Sequence, residues 1–145
     1  MNDSTCDKDS QTGTSACRVF VVEDHEALRR KIELLLNISE DIICVGTAGS
    51  GKEALEATGE ADFDVLLIDL SLPVVSGLDV MSRIRSLKPE AKCLVISGYS
   101  QREHVRSAMD AGAKGFVAKG DPAEITKAIR AVNSGQSYFS DDLAP

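Results

Sequence analysis

A chain of 145 residues, 43% hydrophobic and 27% charged, suits one globular domain and is too apolar to be disordered throughout. Its 16 basic against 23 acidic side chains give a net charge of -7, which repels nucleic-acid phosphates, so DNA binding by this chain itself is not expected. No apolar run approaches the roughly 18 residues of a membrane span and no basic-then-apolar signal opens the chain, which points to the cytoplasm and away from a membrane partner.

Residues 1–17, MNDSTCDKDSQTGTSAC, offer almost nothing to bury and read as a disordered leader or expression remnant. From Arg18 the pattern changes to short apolar runs alternating with segments of helical period. The first run, Val19–Val22, precedes Leu28, Ile32, Leu35 and Leu36, which fall on one helical stripe. The second, Ile42–Val45, leads to a helix candidate at Glu53–Ala57. Between them, Gly46, Gly51 and Lys52 nearly complete a phosphate-binding loop. Glu53 stands where that loop needs a hydroxyl for magnesium, and its charge would repel a triphosphate.

The third run, Val65–Ile68, leads to Leu78–Ser86; the fourth, Cys93–Ile96, to His104–Asp110; the fifth is Phe116–Ala118. A last helix is signed by Ile125, Ile129 and Val132, with Asp121, Pro122 and Glu124 at its N-cap, N1 and N3 places. Runs of about four to six residues, mostly unbroken by polar positions, suit strands buried on both faces of a parallel sheet. The expected fold is a doubly wound (βα)5 domain over residues 18–135, with 136–145 a tail or the start of a linker. Cys6, Cys17, Cys44 and Cys93 form no CxxC pair, so neither a zinc site nor a redox motif is indicated.

Ligands of open α/β sheets bind beyond the carboxyl ends of the strands. There the first run is followed by Glu23 and Asp24, the third by Asp69, the fourth by Ser97 and the fifth by Lys119. Each has an ordinary explanation as a helix-capping acid, a turn former or a solvated charge. Together at equivalent strand ends they make an oxygen-rich set suited to a hard divalent ion such as Mg2+, with a phosphoryl group as its remaining partner.

These residues, within VVEDHEALR (21–29), LLIDLSLPVVSGLDV (66–80), LVISGYS (94–100) and AGAKGFVAKG (111–120), resemble the receiver domain of bacterial two-component response regulators. The resemblance spans about Arg18 to Gly135, and the endings AGAKGFVAKG and GQSYFS are most similar to regulators with a LuxR-type output domain. It implies sheet order 2-1-3-4-5, Asp69 as phosphoacceptor, Glu23 and Asp24 as the acidic pair, and Lys119 as the phosphate-contacting lysine. It further implies Ser97 and Phe116 as switch residues, Mg2+ held by Asp24, Asp69 and the Ser71 carbonyl with Glu23 through water, and Ser71 and Tyr99 as tuners of dephosphorylation. The implied partners are a histidine kinase or phosphotransfer protein and a second copy in a phosphorylation-dependent homodimer, with DNA reached only through an output domain. With the chain ending at Pro145, it is expected to be a truncated or stand-alone receiver.

Such a domain is no enzyme beyond its own phosphoryl transfer and autodephosphorylation. The order 2-1-3-4-5 also sends the near-match loop at Gly46–Lys52 to an edge strand, away from the acids. There are departures: Gly120 follows Lys119 where many receivers have proline, Ser97 replaces threonine, and Phe116 lacks a tyrosine hydroxyl. The alternative is a pseudo-receiver that only binds partners and is never phosphorylated. A flavodoxin-like FMN protein lacks its phosphate loop here, and an aspartate-nucleophile phosphatase would want an acid where Ser71 stands.

Overall fold

A computed structural model describes residues 16–72, 76–98 and 102–140. The elements follow in the order β1 (Cys17–Val22), α1 (Glu26–Ile38), β2 (Ile42–Ala48), α2 (Gly51–Thr58), β3 (Val65–Asp69), α3 (Gly77–Leu87), β4 (Lys92–Ser97), α4 (Arg102–Asp110), β5 (Gly115–Ala118), α5 (Pro122–Asn133) and β6 (Tyr138–Phe139). The sheet has six strands in the order β2-β1-β3-β4-β5-β6, and every neighbouring pair is parallel. The expected 2-1-3-4-5 order is present, extended by one short strand.

Alternate residues along each strand face opposite sides, so each helix layer receives its own half of the apolar runs. Val19, Val21, Val65, Leu67, Leu94 and Ile96 pack under α1 and α5, against Ile32, Leu36, Ile125, Ile129 and Val132. Phe20, Val22, Leu66, Ile68 and Val95 face α2, α3 and α4, meeting Ala54, Val80, Met81, Ile84, Val105 and Ala108. Burial on both faces explains why the strands read as unbroken apolar runs.

Two helices end on glycines in the left-handed region, where a side chain would be strained. At the end of α4, Gly112 (φ 105°) donates to Met109 O and Ala113 to Ala108 O. At the end of α5, Gly135 (φ 95°) donates to Val132 O and Gln136 to Ala131 O. Both are the paired bonds that close a helix and turn the chain back toward the sheet.

The sequence boundaries shift at three places. Cys17, read as leader, is the first residue of β1, buried and donating its N–H to Asp41 O at 2.9 Å. β2 runs on through Gly46, Thr47 and Ala48, with a register shift against β1 that leaves Val45 without a partner there. A Cβ on Gly46 would stand 2.6 Å from Phe20 Cε2, so only glycine lets the strand cross that ring. Tyr138 and Phe139, read as tail, pair with Gly115 and Phe116.

The near-match loop is a helix cap on an edge strand. Ser50 Oγ accepts from Glu53 N–H at 3.1 Å, and Glu53 Oε1 accepts from Gly49 N–H at 2.9 Å. The acid that spoils the phosphate-loop pattern thus occupies the Gly49 N–H, and Ser50 occupies that of Glu53 itself, two donors a phosphate would need. The turn is nearer the acids than expected, because Glu23 N–H donates to Ala48 O at 3.0 Å.

Cys17 and Cys93 are buried and free, and burial pushes each thiol up to about 12. Iodoacetamide at about pH 8 is therefore expected to leave both unmodified in the native protein and to alkylate both in urea, read by peptide mass mapping.

Candidate functional site

Each chemically active side chain sits where an apolar strand stops. β1 ends at Val22, and Glu23 follows it fully buried while Asp24 is exposed. Asp69 is the last residue of β3 and Ser97 the last of β4, both buried. Lys119 follows β5. Because β3 lies between β1 and β4, and β5 lies next to β4, parallel pairing brings all these ends to one rim. Phe116 is wholly buried within β5.

At the centre is one ammonium. Lys119 Nζ donates to Asp69 Oδ2 at 2.9 Å and to Glu23 Oε2 at 3.3 Å. It also lies 3.1 Å from Glu23 Oε1, at an angle that leaves this buried oxygen without a hydrogen bond. Glu23 Oε2 takes a further bond from His25 N–H at 3.0 Å, and Asp69 Oδ1 takes one from Ser71 N–H at 2.9 Å. Ligand oxygens of Glu23, Asp24 and Asp69 all lie within 4.8 Å of one another, close enough to share one ion. An all-oxygen acidic set with an orphaned buried oxygen fits a hard cation such as Mg2+.

The charges perturb each other. Burial raises the Glu23 carboxyl above its ordinary value and the Asp69 charge adds to this, while the His25 N–H and Lys119 pull downward without cancelling it. Burial alone would lower the Lys119 ammonium, but hydrogen bonds and charges from Asp69 and Glu23 outweigh it, so its pKa is raised.

Two supporting residues escaped the sequence reading. Arg29 reaches back from α1 so that Nη1 donates to Glu23 O at 2.9 Å, fixing the backbone that carries the first acids. Gly77 opens α3 against the end of β3, where an added Cβ would collide with Asp69 O and lie 2.8 Å from Leu70 O. A glycine within a helical pattern is a signal for such an approach, but only the partner strand reveals its purpose. Ser71 is exposed beside Asp69. Tyr99 lies outside the described residues.

A parallel α/β sheet of this order, with paired acids, a strand-end aspartate and a lysine on one rim, is the layout of a receiver, a phosphorylation-activated signalling switch. The chain belongs to the response regulator receiver domain family, whose model matches residues 19–130. It is 34% identical over 127 residues to the response regulator UvrY of Escherichia coli, covering 87% of this chain and 58% of that protein. To the oxygen regulatory protein NreC of Staphylococcus haemolyticus it is 36% identical over 128 residues, covering 87% and 59%. The crystal structure of a LuxR-family two-component response regulator from Aurantimonas sp. matches with TM-score 0.84 at 30% identity, over 89% of this chain and 93% of that one. The chain thus spans 58 to 59% of the length of these curated relatives.

Two substitutions test the site's energetics. Gly77→Ala should lower stability by about 1–3 kcal/mol in urea denaturation, since the new methyl meets backbone that cannot swing aside. Glu23→Gln, with chelator present, should raise stability at neutral pH. Because the folded pKa of Glu23 lies above 4.5, the gain should vanish as the pH falls below that value, where the carboxyl is protonated folded or unfolded. Urea melts at about pH 7 and about pH 4 measure both arms.

Proposed function

We propose that Asp69 accepts a phosphoryl group from a phosphohistidine on a partner kinase or phosphotransfer protein, and that the aspartyl phosphate resets this domain's interaction surface. The observation that carries the reading is the three-way contact of Asp69, Glu23 and Lys119 at the strand ends. One Asp69 oxygen attacks phosphorus, the P–N bond breaks, and its electron pair leaves with the imidazole. The Ser71 N–H bond at 2.9 Å holds the carboxylate in a fixed orientation for this attack.

Asp24 and Asp69 would hold Mg2+ with the Ser71 carbonyl, and Glu23 would contribute through water. When bound, the ion supplies positive charge that offsets the charge on the transferred group. Lys119 would add its own positive charge to the same end, and its raised pKa keeps it protonated for that role.

Ser97 would hydrogen-bond a phosphoryl oxygen and draw its loop inward, and Phe116 would fill the space vacated. The ring lies fully buried in the core on the α2, α3 and α4 side of the sheet, so such a turn would repack that core. The readout would be the surface of α4, β5 and α5, docking a partner or a second copy. Ser71 and Tyr99 would set the lifetime of the phosphoryl group by flanking the attacking water.

No described helix is long and apolar enough to cross a membrane. The cytoplasm is the proposed location, and control of DNA would need an output domain like that expected for LuxR-type regulators.

Incubation with Mg2+ and a small acyl-phosphate donor should add the mass of one phosphoryl group, labile to hydroxylamine. Asp69→Asn and removal of Mg2+ by chelator should each abolish the gain. Labelling of Asp69→Asn as fast as the parent would overturn the assignment, and an unlabelled parent would favour a pseudo-receiver that only binds partners.

A further inference from the structure

The segment after α5 is fastened to β5 by a polar cluster that reaches the strand end next to Lys119. In α5, Asp121 caps the helix by accepting from Ala123 N–H at 3.0 Å. Glu124 at N3 does not turn back to that cap. Its carboxylate accepts from Tyr138 Oη at 3.0 Å and from Ser140 Oγ at 3.1 Å. Ser140 is buried, and its one hydroxyl is used twice, because Oγ also accepts from Ala118 N–H at 3.1 Å. Its own N–H donates to Phe116 O at 3.1 Å.

These bonds hold the last residues of β5, up to the N–H of Ala118, the residue before Lys119. On one side of β5, Ala118 N–H is held by Ser140; on the other, Lys119 N–H is held by Ser97 O at 3.1 Å. Immediately afterwards comes Gly120, exposed, with nothing within 4 Å of where a Cβ would stand. Glycine does not restrain its own backbone, so the strand end that carries the ammonium must be located from outside. Without Ser140, β5 would present Ala118 N–H at an open edge. A half-buried donor left unpaired favours backbone distortion or water entry beside the site.

We infer that Ser140, oriented by Glu124, is a positioning residue for the Lys119 ammonium, which makes the segment following α5 part of the phosphoryl-transfer machinery. The inference rests on the proposed role of Lys119 in contacting the transferred group. Ser140 touches no reacting atom and acts only through the Ala118–Lys119 backbone.

Ser140→Ala in the full chain tests it with three readouts. Amide exchange at Ala118, followed by NMR, should accelerate about ten-fold, the weight of one hydrogen bond. The rate of Asp69 labelling at saturating acetyl phosphate should fall by about three- to ten-fold, a loss in the chemical step. The calorimetric affinity for Mg2+ should not fall, because Glu23, Asp24 and Asp69 are untouched and a displaced Lys119 ammonium only removes positive charge from beside them. Ser140→Thr should restore exchange and labelling together, and Glu124→Gln should move both in the same direction by less. Faster exchange with unaltered labelling would reduce Ser140 to a fastener of β6 and overturn the inference, as would unaltered exchange. A parallel loss of Mg2+ affinity would mark general disruption and overturn it too. A parent that never labels at Asp69 would instead refute the functional reading beneath it.

Discussion

Two carboxylates, on Glu23 and Asp69, are taken out of water at the carboxyl edge of the sheet, and a single ammonium answers both. Unpaired buried charge is expensive, and like charges held close raise the cost further. The protein tolerates the arrangement because Lys119 bridges the two and because backbone N–H groups of His25 and Ser71 take further lone pairs. One Glu23 oxygen still lacks a hydrogen bond. The rim is therefore electrostatically unfinished, and its three acids lie close enough to share one cation.

The fold serves this rim by delivering side chains from distant segments to equivalent heights. Parallel register aligns Asp69 with Ile96 and Ser97 with Ala118, so the polar residues cluster where the ladders stop. Behind them the backbone is braced by groups that do no chemistry themselves: Arg29 on the Glu23 carbonyl, Gly77 against Asp69, and Ser140 on Ala118. A displaced carboxylate or ammonium loses much of its effect, so such bracing belongs to the site as much as the charges do.

The five main strands, their helices and all the acids of the rim were legible because burial on both faces writes itself as uninterrupted apolar runs, and the first polar residue after each run marks its end. What stayed hidden depends on partners remote in the chain. Tyr138 and Phe139 are too few to show any period, and they are a strand only because β5 offers an edge and Glu124 a carboxylate. Glu124 does stand at N3 behind the Asp121 cap, yet nothing in its position shows that its oxygens go to Tyr138 and Ser140. The extra length of β2 hinges on a glycine passing an aromatic ring that lies 26 residues earlier, between Phe20 and Gly46. Cys17 looked like leader because its neighbours before it are polar, although its strand partner is Ile42.

The absence of any antiparallel pair in the described sheet has an outcome for biogenesis. A hairpin can form from adjacent residues alone, whereas each parallel ladder must wait until the intervening helix has crossed over. Contacts of long sequence separation are slow to form. Since the rim draws on residues from Glu23 to Lys119, no fragment folding early along the nascent polypeptide can assemble it. The rim is thus complete only once strands from β1 to β5 have taken their places side by side.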